Sequence, residues 1–195
     1  MRKRLTRGVR IKIYLSWKCN LKCWYCTNHY LSKSKQKTGQ EISAYEWLDI
    51  ISDFPVKVRE IVLSGGEPSL YYDYTKLTNE LLKRGYFVTV FSNLATKKGL
   101  QVIKHSNIRI CATHHQECSR DTWDENLKLY RLKYRVDVDL FPDDDIKTSN
   151  SHVKAINTMG MTGSQICFYE KAFGFNPEGK LYPRKFELLK DSYEY

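Results

Sequence analysis

Val9-Arg10-Ile11-Lys12-Ile13-Tyr14-Leu15 runs into Cys19-Asn20-Leu21-Lys22-Cys23-Trp24-Tyr25-Cys26, and further along Glu60-Ile61-Val62-Leu63-Ser64 runs into Gly65-Gly66-Glu67-Pro68. The first stretch alternates polar and apolar residues, as a half-buried strand does. Behind it, Cys19, Cys23 and Cys26 stand at C-x3-C-x2-C spacing on one short loop. Three thiolates so spaced can hold three irons of a [4Fe–4S] cube, whereas such cubes normally have four cysteine ligands. The fourth iron is then left open to a small molecule. Zinc is the competing metal, because it also takes thiolates on short spacings, and His29 is close enough to complete its set. Zinc leaves Gly65–Pro68 without a reason. A disulfide scaffold fits worse, because six cysteines are few for a chain of 195 residues.

Outward from these motifs the chain alternates strand and helix. Ser43 with Glu46 three residues on is a capping box that opens a helix through about Asp53, with Pro55 beyond it. Glu60–Ser64 reads as strand two. A helix over Tyr74–Arg84 carries Leu77, Leu81 and Leu82 on one face, with Gly85 as its stop. Phe87–Phe91 reads as strand three, Thr96–His105 as a short helix, and Ile108–Ala112 as strand four. Asp121–Leu132 reads as a helix packing Trp123, Leu127 and Tyr130 inward, followed by strand five at Val136–Leu140. A further helix is expected within Asp143–Asn157 and a sixth strand at Gln165–Phe168. Such alternation implies an α/β fold of parallel strands joined by right-handed crossovers. In α/β barrels the chemistry sits at the C-terminal strand ends, which is where both motifs fall.

The cysteine loop with its Gly-Gly-Glu-Pro partner resembles the radical S-adenosylmethionine (radical SAM) superfamily, over roughly Ile11 to Leu140. The resemblance implies a partial (β/α)6 TIM barrel as one domain spanning 1–195, with the core over 8–170 and a short C-terminal hairpin over 171–195. It implies one [4Fe–4S] cluster on Cys19, Cys23 and Cys26, and SAM as the second cofactor, chelated at the open iron. Tyr25 matches the aromatic position beside the adenine. Gly65, Gly66, Glu67 and Pro68 match the segment that receives the methionine amino group. A glycine pair suits close backbone approach, and a carboxylate complements an ammonium. Ser92 and Asn93 stand where relatives often carry Thr-Asn-Gly near the SAM carboxylate or ribose, though Ser-Asn after a strand is also an ordinary turn signal.

Weaker candidates share the same rim. His114 and His115 follow strand four and either face substrate or are plain loop residues. Asp137 and Asp139 share one face of strand five; they would suit a cationic or hydroxylated substrate if that face points inward, but two carboxylates buried together need partners. The tail from Cys167 to Arg184 resembles the opening of a SPASM or twitch domain, with Gly179 in the turn. Arg184 stands where that pattern has its next cysteine, and a guanidinium cannot bind iron. A single cluster and a metal-free hairpin are therefore expected, with Arg184 capping the substrate pocket or pairing with an acid.

The formal net charge is +10, and Arg2, Lys3, Arg4, Arg7, Arg10 and Lys12 contribute much of it. The excess suits an anionic partner: nucleic acid, an acidic peptide, or an acidic flavodoxin or ferredoxin acting as electron donor. No nucleic-acid-binding motif is present. No apolar run approaches the length of a membrane span, and no signal-peptide core follows the basic N-terminus, so a cytoplasmic enzyme is expected. Together these features imply reductive cleavage of SAM to a 5′-deoxyadenosyl radical that takes hydrogen from a peptide or protein side chain. A nucleobase or nucleotide substrate is the nearest rival, since the chain is also similar in size to 7-carboxy-7-deazaguanine synthase and to the activating enzymes of glycyl-radical proteins. A non-catalytic iron–sulfur module or a zinc-binding module stands as the other class.

Overall fold

A computed structural model describes residues 8–23, 41–139, 173–175 and 181–182. Five strands run in sequence order: β1 (Val9–Ser16), β2 (Val58–Gly65), β3 (Phe87–Ser92), β4 (Ile108–Thr113) and β5 (Arg135–Asp139). Each pairs parallel with the next. Among the described residues three α-helices interleave with them: α1 (Ala44–Ser52), α2 (Tyr74–Lys83) and α3 (Arg120–Lys133).

The order decides the architecture. Neighbouring strands joined by crossovers of one hand put every helix on the same face, as in a singly wound barrel. Ile11, Ile13 and Leu15 of β1, Ile61 and Leu63 of β2, Val88 and Val90 of β3, and Ile108 and Ile110 of β4 all join one core. Trp47, Leu77, Leu81, Trp123 and Tyr130 complete that core from the helices. The alternate strand positions face the other way, toward what would be the barrel interior. This is the expected α/β fold with a partial-barrel core.

The inner face is polar and ordered as a ladder. Arg10 on β1 pairs with Glu60 on β2. Glu60 accepts from Thr89 Oγ1 on β3 at 2.8 Å and lies 3.9 Å from the Arg109 guanidinium on β4. Arg109 in turn sits 3.5 Å from Asp137 on β5, which Arg135 approaches to 3.3 Å. Opposite charges on β1 and β2 and on β4 and β5, bridged by Thr89 on β3, stabilise the pairing laterally and set register, because a one-residue slip would turn these charges into the apolar core.

Lys12 shares this face but is only 8% exposed. Burial pulls its ammonium from 10.5 down to about 8. The Tyr14 and Phe91 rings, 4.9 and 5.6 Å from Nζ, partly offset that penalty. The native state then releases this proton near pH 8, whereas the unfolded chain holds it to about 10.5. Within that window the unfolded state binds more protons, so stability rises with pH, by roughly 3 kcal/mol in all. At neutral pH both states are protonated and the penalty stands in full. Lys12→Met is expected to be the more stable protein at neutral pH and to lose the alkaline rise in urea unfolding. Equal pH dependence in the two proteins would contradict the burial.

Local boundaries follow sequence chemistry. The Ser43–Glu46 capping box forms as expected, with each side chain bonded to the other residue's backbone N–H. Gly85 turns the chain after α2 at φ 83°. One expectation fails: Thr96–His105 is no α-helix but a 3-10 turn over Lys98–Gln101. Side chains of α3 and the residue after it take the carbonyls that a helix would need. Tyr130 donates to Thr96 O, Lys133 to Leu100 O, and Tyr134 to Gly99 O and Val102 O.

The helix expected in Asp143–Asn157 and the strand at Gln165–Phe168 lie outside the described residues. The tail contributes β6 (Phe173–Phe175) and β7 (Leu181–Tyr182). They pair antiparallel as a hairpin, and β6 adds parallel to the free edge of β1, giving the order β5-β4-β3-β2-β1-β6-β7. The hairpin therefore lies at the β1 edge of the sheet, opposite β5.

Candidate active site

The two sequence motifs meet at the C-terminal ends of β1 and β2. Gly66 N donates to Ser16 O and Glu67 N to Lys18 O, both at 2.8 Å. These bonds carry the pairing of β1 and β2 past the strand ends and into the cysteine loop. The glycines are needed for it. A Cβ on Gly65 would stand 2.2 Å from Ser16 O, and one on Gly66 the same distance from Lys18 O. Gly65 also adopts φ 129°, a conformation that side chains disfavour. In the described structure the close approach permitted by the pair is thus to the cysteine loop's own backbone.

Glu67 is 0% exposed. Its Oε1 accepts from Ser69 N at 3.2 Å and Ser69 Oγ at 2.7 Å. Its Oε2 accepts from Asn93 N at 2.9 Å, and Ser92 Oγ lies 3.1 and 3.2 Å from the two oxygens. Burial pushes its carboxyl above the usual range, while these donors pull back toward the charged form. Its partners here are protein donors from β3 and from the turn Pro68–Leu70, which fasten the end of β2 to the end of β3.

Asn93 continues the chain of contacts. Its Oδ1 accepts from Ala95 N at 2.8 Å, while Nδ2 lies 2.9 Å from Asn20 Oδ1 and 3.6 Å from Cys19 Sγ. The next residue, Leu94, has φ 52°, a left-handed conformation unusual for a branched side chain. It occupies the place of the glycine in the Thr-Asn-Gly pattern. The strain, of order 1 kcal/mol, is held by complete burial of Leu94 and by Asn126 Nδ2, which donates to Leu94 O at 2.7 Å.

Cys19 and Cys23 form no disulfide; Cys19 is exposed at the rim and Cys23 is buried. Leu21 N donates toward Cys19 Sγ at 3.5 Å, so among the described residues at least two N–H groups aim at this sulfur. Such donors suit a metal-bound thiolate, and in this respect the described residues fit the cluster implied by the spacing. Tyr25 and Cys26 lie outside the described residues. Cys111 and Cys118 are buried, Cys118 within the apolar core behind the sheet and Cys111 on the sheet itself; Cys167 lies outside the described residues. Anaerobic reconstitution is expected to load about four irons per chain, unchanged when Cys111, Cys118 and Cys167 are all replaced by serine. About eight irons in the wild type, falling in that variant, would reveal a second cluster.

The remaining candidates are spread around the rim. His114 Nε2 lies 3.1 Å from Cys118 O and its ring stands edge-on to Trp123, contacts that anchor the turn before α3. His115 is half-buried, and desolvation lowers its pKa. Asp137 does face the inner side, but Arg109 and Arg135 already pair with it. Asp139 aligns with Thr113 at the end of β5. Arg184 lies outside the described residues. Several supporting residues had no motif to announce them. Ser16, fully buried, donates to Glu41 Oε1 at 2.6 Å, and Lys18 pairs with the same carboxylate, tying the start of the cysteine loop to the segment before α1. Asn126 was detectable only as a polar residue within the apolar stripe of Trp123, Leu127 and Tyr130.

The family model described as "Radical SAM superfamily" matches residues 13–138. A 7-carboxy-7-deazaguanine synthase of Halobacterium salinarum is 33% identical over 82 residues, covering 38% of this chain and 28% of that protein. The chain thus spans less than a third of that relative's length. Among solved structures, BtrN in complex with AdoMet and 2-DOIA superposes with TM-score 0.59 at 16% identity, covering 97% of this chain and 83% of BtrN. Streptococcus suis SuiB bound to precursor peptide SuiA gives TM-score 0.56 at 18% identity, covering 98% of this chain and 46% of SuiB. The two structural likenesses establish a shared fold. No helix among the described residues is long and apolar enough to cross a membrane.

Proposed function

The chain belongs to the radical SAM superfamily, and on that premise we propose that it is an enzyme that cleaves SAM reductively and uses the resulting radical to take hydrogen from a peptide or protein side chain. The observation that carries the first half is the junction of the two motifs, Gly66 N to Ser16 O and Glu67 N to Lys18 O, which fixes the cysteine loop against the glycine segment. Cys19, Cys23 and Cys26 would hold one [4Fe–4S] cluster. When bound, that cluster supplies the single electron that splits SAM into methionine and a 5′-deoxyadenosyl radical.

The chain's own residues position and shield. By the motif match, the Gly65–Gly66 backbone and Pro68 would receive the methionine moiety, Tyr25 would meet the adenine, and Ser92–Asn93 would stand near the SAM carboxylate or ribose. Helices confined to one face leave the polar inner face for substrate, with His114, His115, Asp139 and Arg184 as its candidate contacts. The basic N-terminus, Arg2 to Arg7, would dock an acidic flavodoxin or ferredoxin. Turnover driven by such a donor should fall as salt rises, because screening weakens exposed charge pairs; turnover driven by dithionite should not.

Two observations support a peptide substrate: the tail hairpin on the β1 edge, and the shared fold with SuiB, which was solved bound to a precursor peptide. The identity to a 7-carboxy-7-deazaguanine synthase favours the second reading, a nucleobase or nucleotide. Deuterium transfer separates them. Perdeuterated peptide pools are expected to place deuterium in 5′-deoxyadenosine, and perdeuterated nucleotides are not. Transfer from nucleotides alone would move the assignment to the second reading.

A further inference from the structure

We propose that Asn93 sets the reduction potential of the cluster through the Cys19 sulfur, and that Glu67 is the positioning residue that holds Asn93 in place. The proposal rests on the cluster reading above. It departs from the expectation that Glu67 itself receives the SAM ammonium.

Three observations converge on it. Both carboxylate oxygens of fully buried Glu67 are engaged by protein donors, one of them the Asn93 backbone N–H at 2.9 Å. The Asn93 side chain is oriented at both ends, by Ala95 N on Oδ1 and by Asn20 Oδ1 on Nδ2. That leaves Nδ2 3.6 Å from Cys19 Sγ, within reach of an N–H···S hydrogen bond. The left-handed turn at Leu94, held by Asn126, closes the segment and keeps it from relaxing. Observed backbone strain of this kind is characteristic of functional positions.

The electrostatic consequence has a definite sign. Reduction adds one negative charge to the cluster and its sulfurs. A donor aimed at a sulfur stabilises the reduced form more than the oxidised form and raises the potential. Leu21 N also points at Cys19 Sγ, but it belongs to the loop backbone and remains in any side-chain variant. Replacing Asn93 therefore isolates one donor.

The experiment is a redox titration of the reconstituted full chain, followed by electron paramagnetic resonance and carried out without SAM. Asn93→Leu, near in size and without a donor or charge, is expected to lower the equilibrium constant for reduction about tenfold, which is about 59 mV for a one-electron couple. Asn93→Ala should shift it likewise. Glu67→Gln removes a negative charge, which by itself would raise the potential, so a lowered potential in this variant reports the displaced Asn93 donor; in the Asn93→Leu background the same substitution should no longer lower it, because the two act through one contact. A Glu67 that does not hold Asn93 would leave only the charge effect, a raised potential in Glu67→Gln, and would remove it from the proposal. Potentials unchanged in the Asn93 variants, with iron content equal to wild type, would overturn the proposal. So would failure of both Asn93 variants to take up the cluster, since a donor to sulfur is not required for thiolate ligation. If the wild type itself forms no [4Fe–4S] cluster, the reading beneath the proposal fails, and that outcome is distinct from the other two.

Discussion

Alanine at Cys19 is expected to abolish the iron–sulfur absorbance and all formation of 5′-deoxyadenosine. Cys19 stands at the rim beyond β1, exposed, with the N–H groups of Leu21 and Asn93 directed at its sulfur. Those donors would stabilise a thiolate, and an alanine methyl offers them nothing. Removing one of three thiolates from a cube that already lacks a fourth leaves two, too few to hold it. The same loss is expected for Cys23→Ala and Cys26→Ala. Serine at Cys111 provides the contrast, because that thiol lies on β4, away from the loop, and its loss should leave the iron content unchanged. Iron analysis and absorbance after anaerobic reconstitution check both. Wild-type iron in Cys19→Ala would remove it from the ligand set.

Gly66→Ala should be nearly as damaging without touching a single ligand. Its Cβ would stand 2.2 Å from Lys18 O and 2.8 Å from Trp17 O. Both are backbone atoms, so no side chain can swing away to make room. The cysteine loop must move, and the bond from Glu67 N to Lys18 O must stretch or break. Overpacking of this kind costs about 1–3 kcal/mol in stability. The activity should suffer more, because a displacement on the order of 1 Å at a reacting centre costs about a hundredfold. The expected outcome is a folded protein with near-wild-type iron and SAM cleavage reduced about a hundredfold. Wild-type cleavage in Gly66→Ala would show that the loop is not registered by this contact.

The fold was readable where local chemistry decides it. Strand alternation in Val9–Leu15, the Ser43–Glu46 box and the leucine face of α2 are short-range signals, and the structure reproduces them. Thr96–His105 misled because its carbonyls are claimed by Tyr130, Lys133 and Tyr134, more than thirty positions away. The attachment of β6 to β1 is likewise long-range, and no local pattern encodes it. At the site, the motif residues were legible but not all of their partners. The glycine pair signals close backbone approach, and in the described structure Ser16 and Lys18 make such an approach. Asp137 signals either a substrate contact or a carboxylate that needs a protein partner, and Arg109 and Arg135 supply the partner. The Leu94 turn was signalled by Ser92-Asn93, but its left-handed leucine and its Asn126 brace had no sequence signal beyond one polar residue on an apolar helix face.

This chain is expected to cleave SAM at a cluster held by its cysteine loop. That expectation is tested most directly by incubating the anaerobically reconstituted protein with SAM and dithionite and quantifying 5′-deoxyadenosine. The wild type is expected to form it, and the protein lacking Cys19, Cys23 and Cys26 is expected to form none. A wild-type preparation that carries zinc in place of iron, or that carries iron and leaves SAM intact, would contradict it.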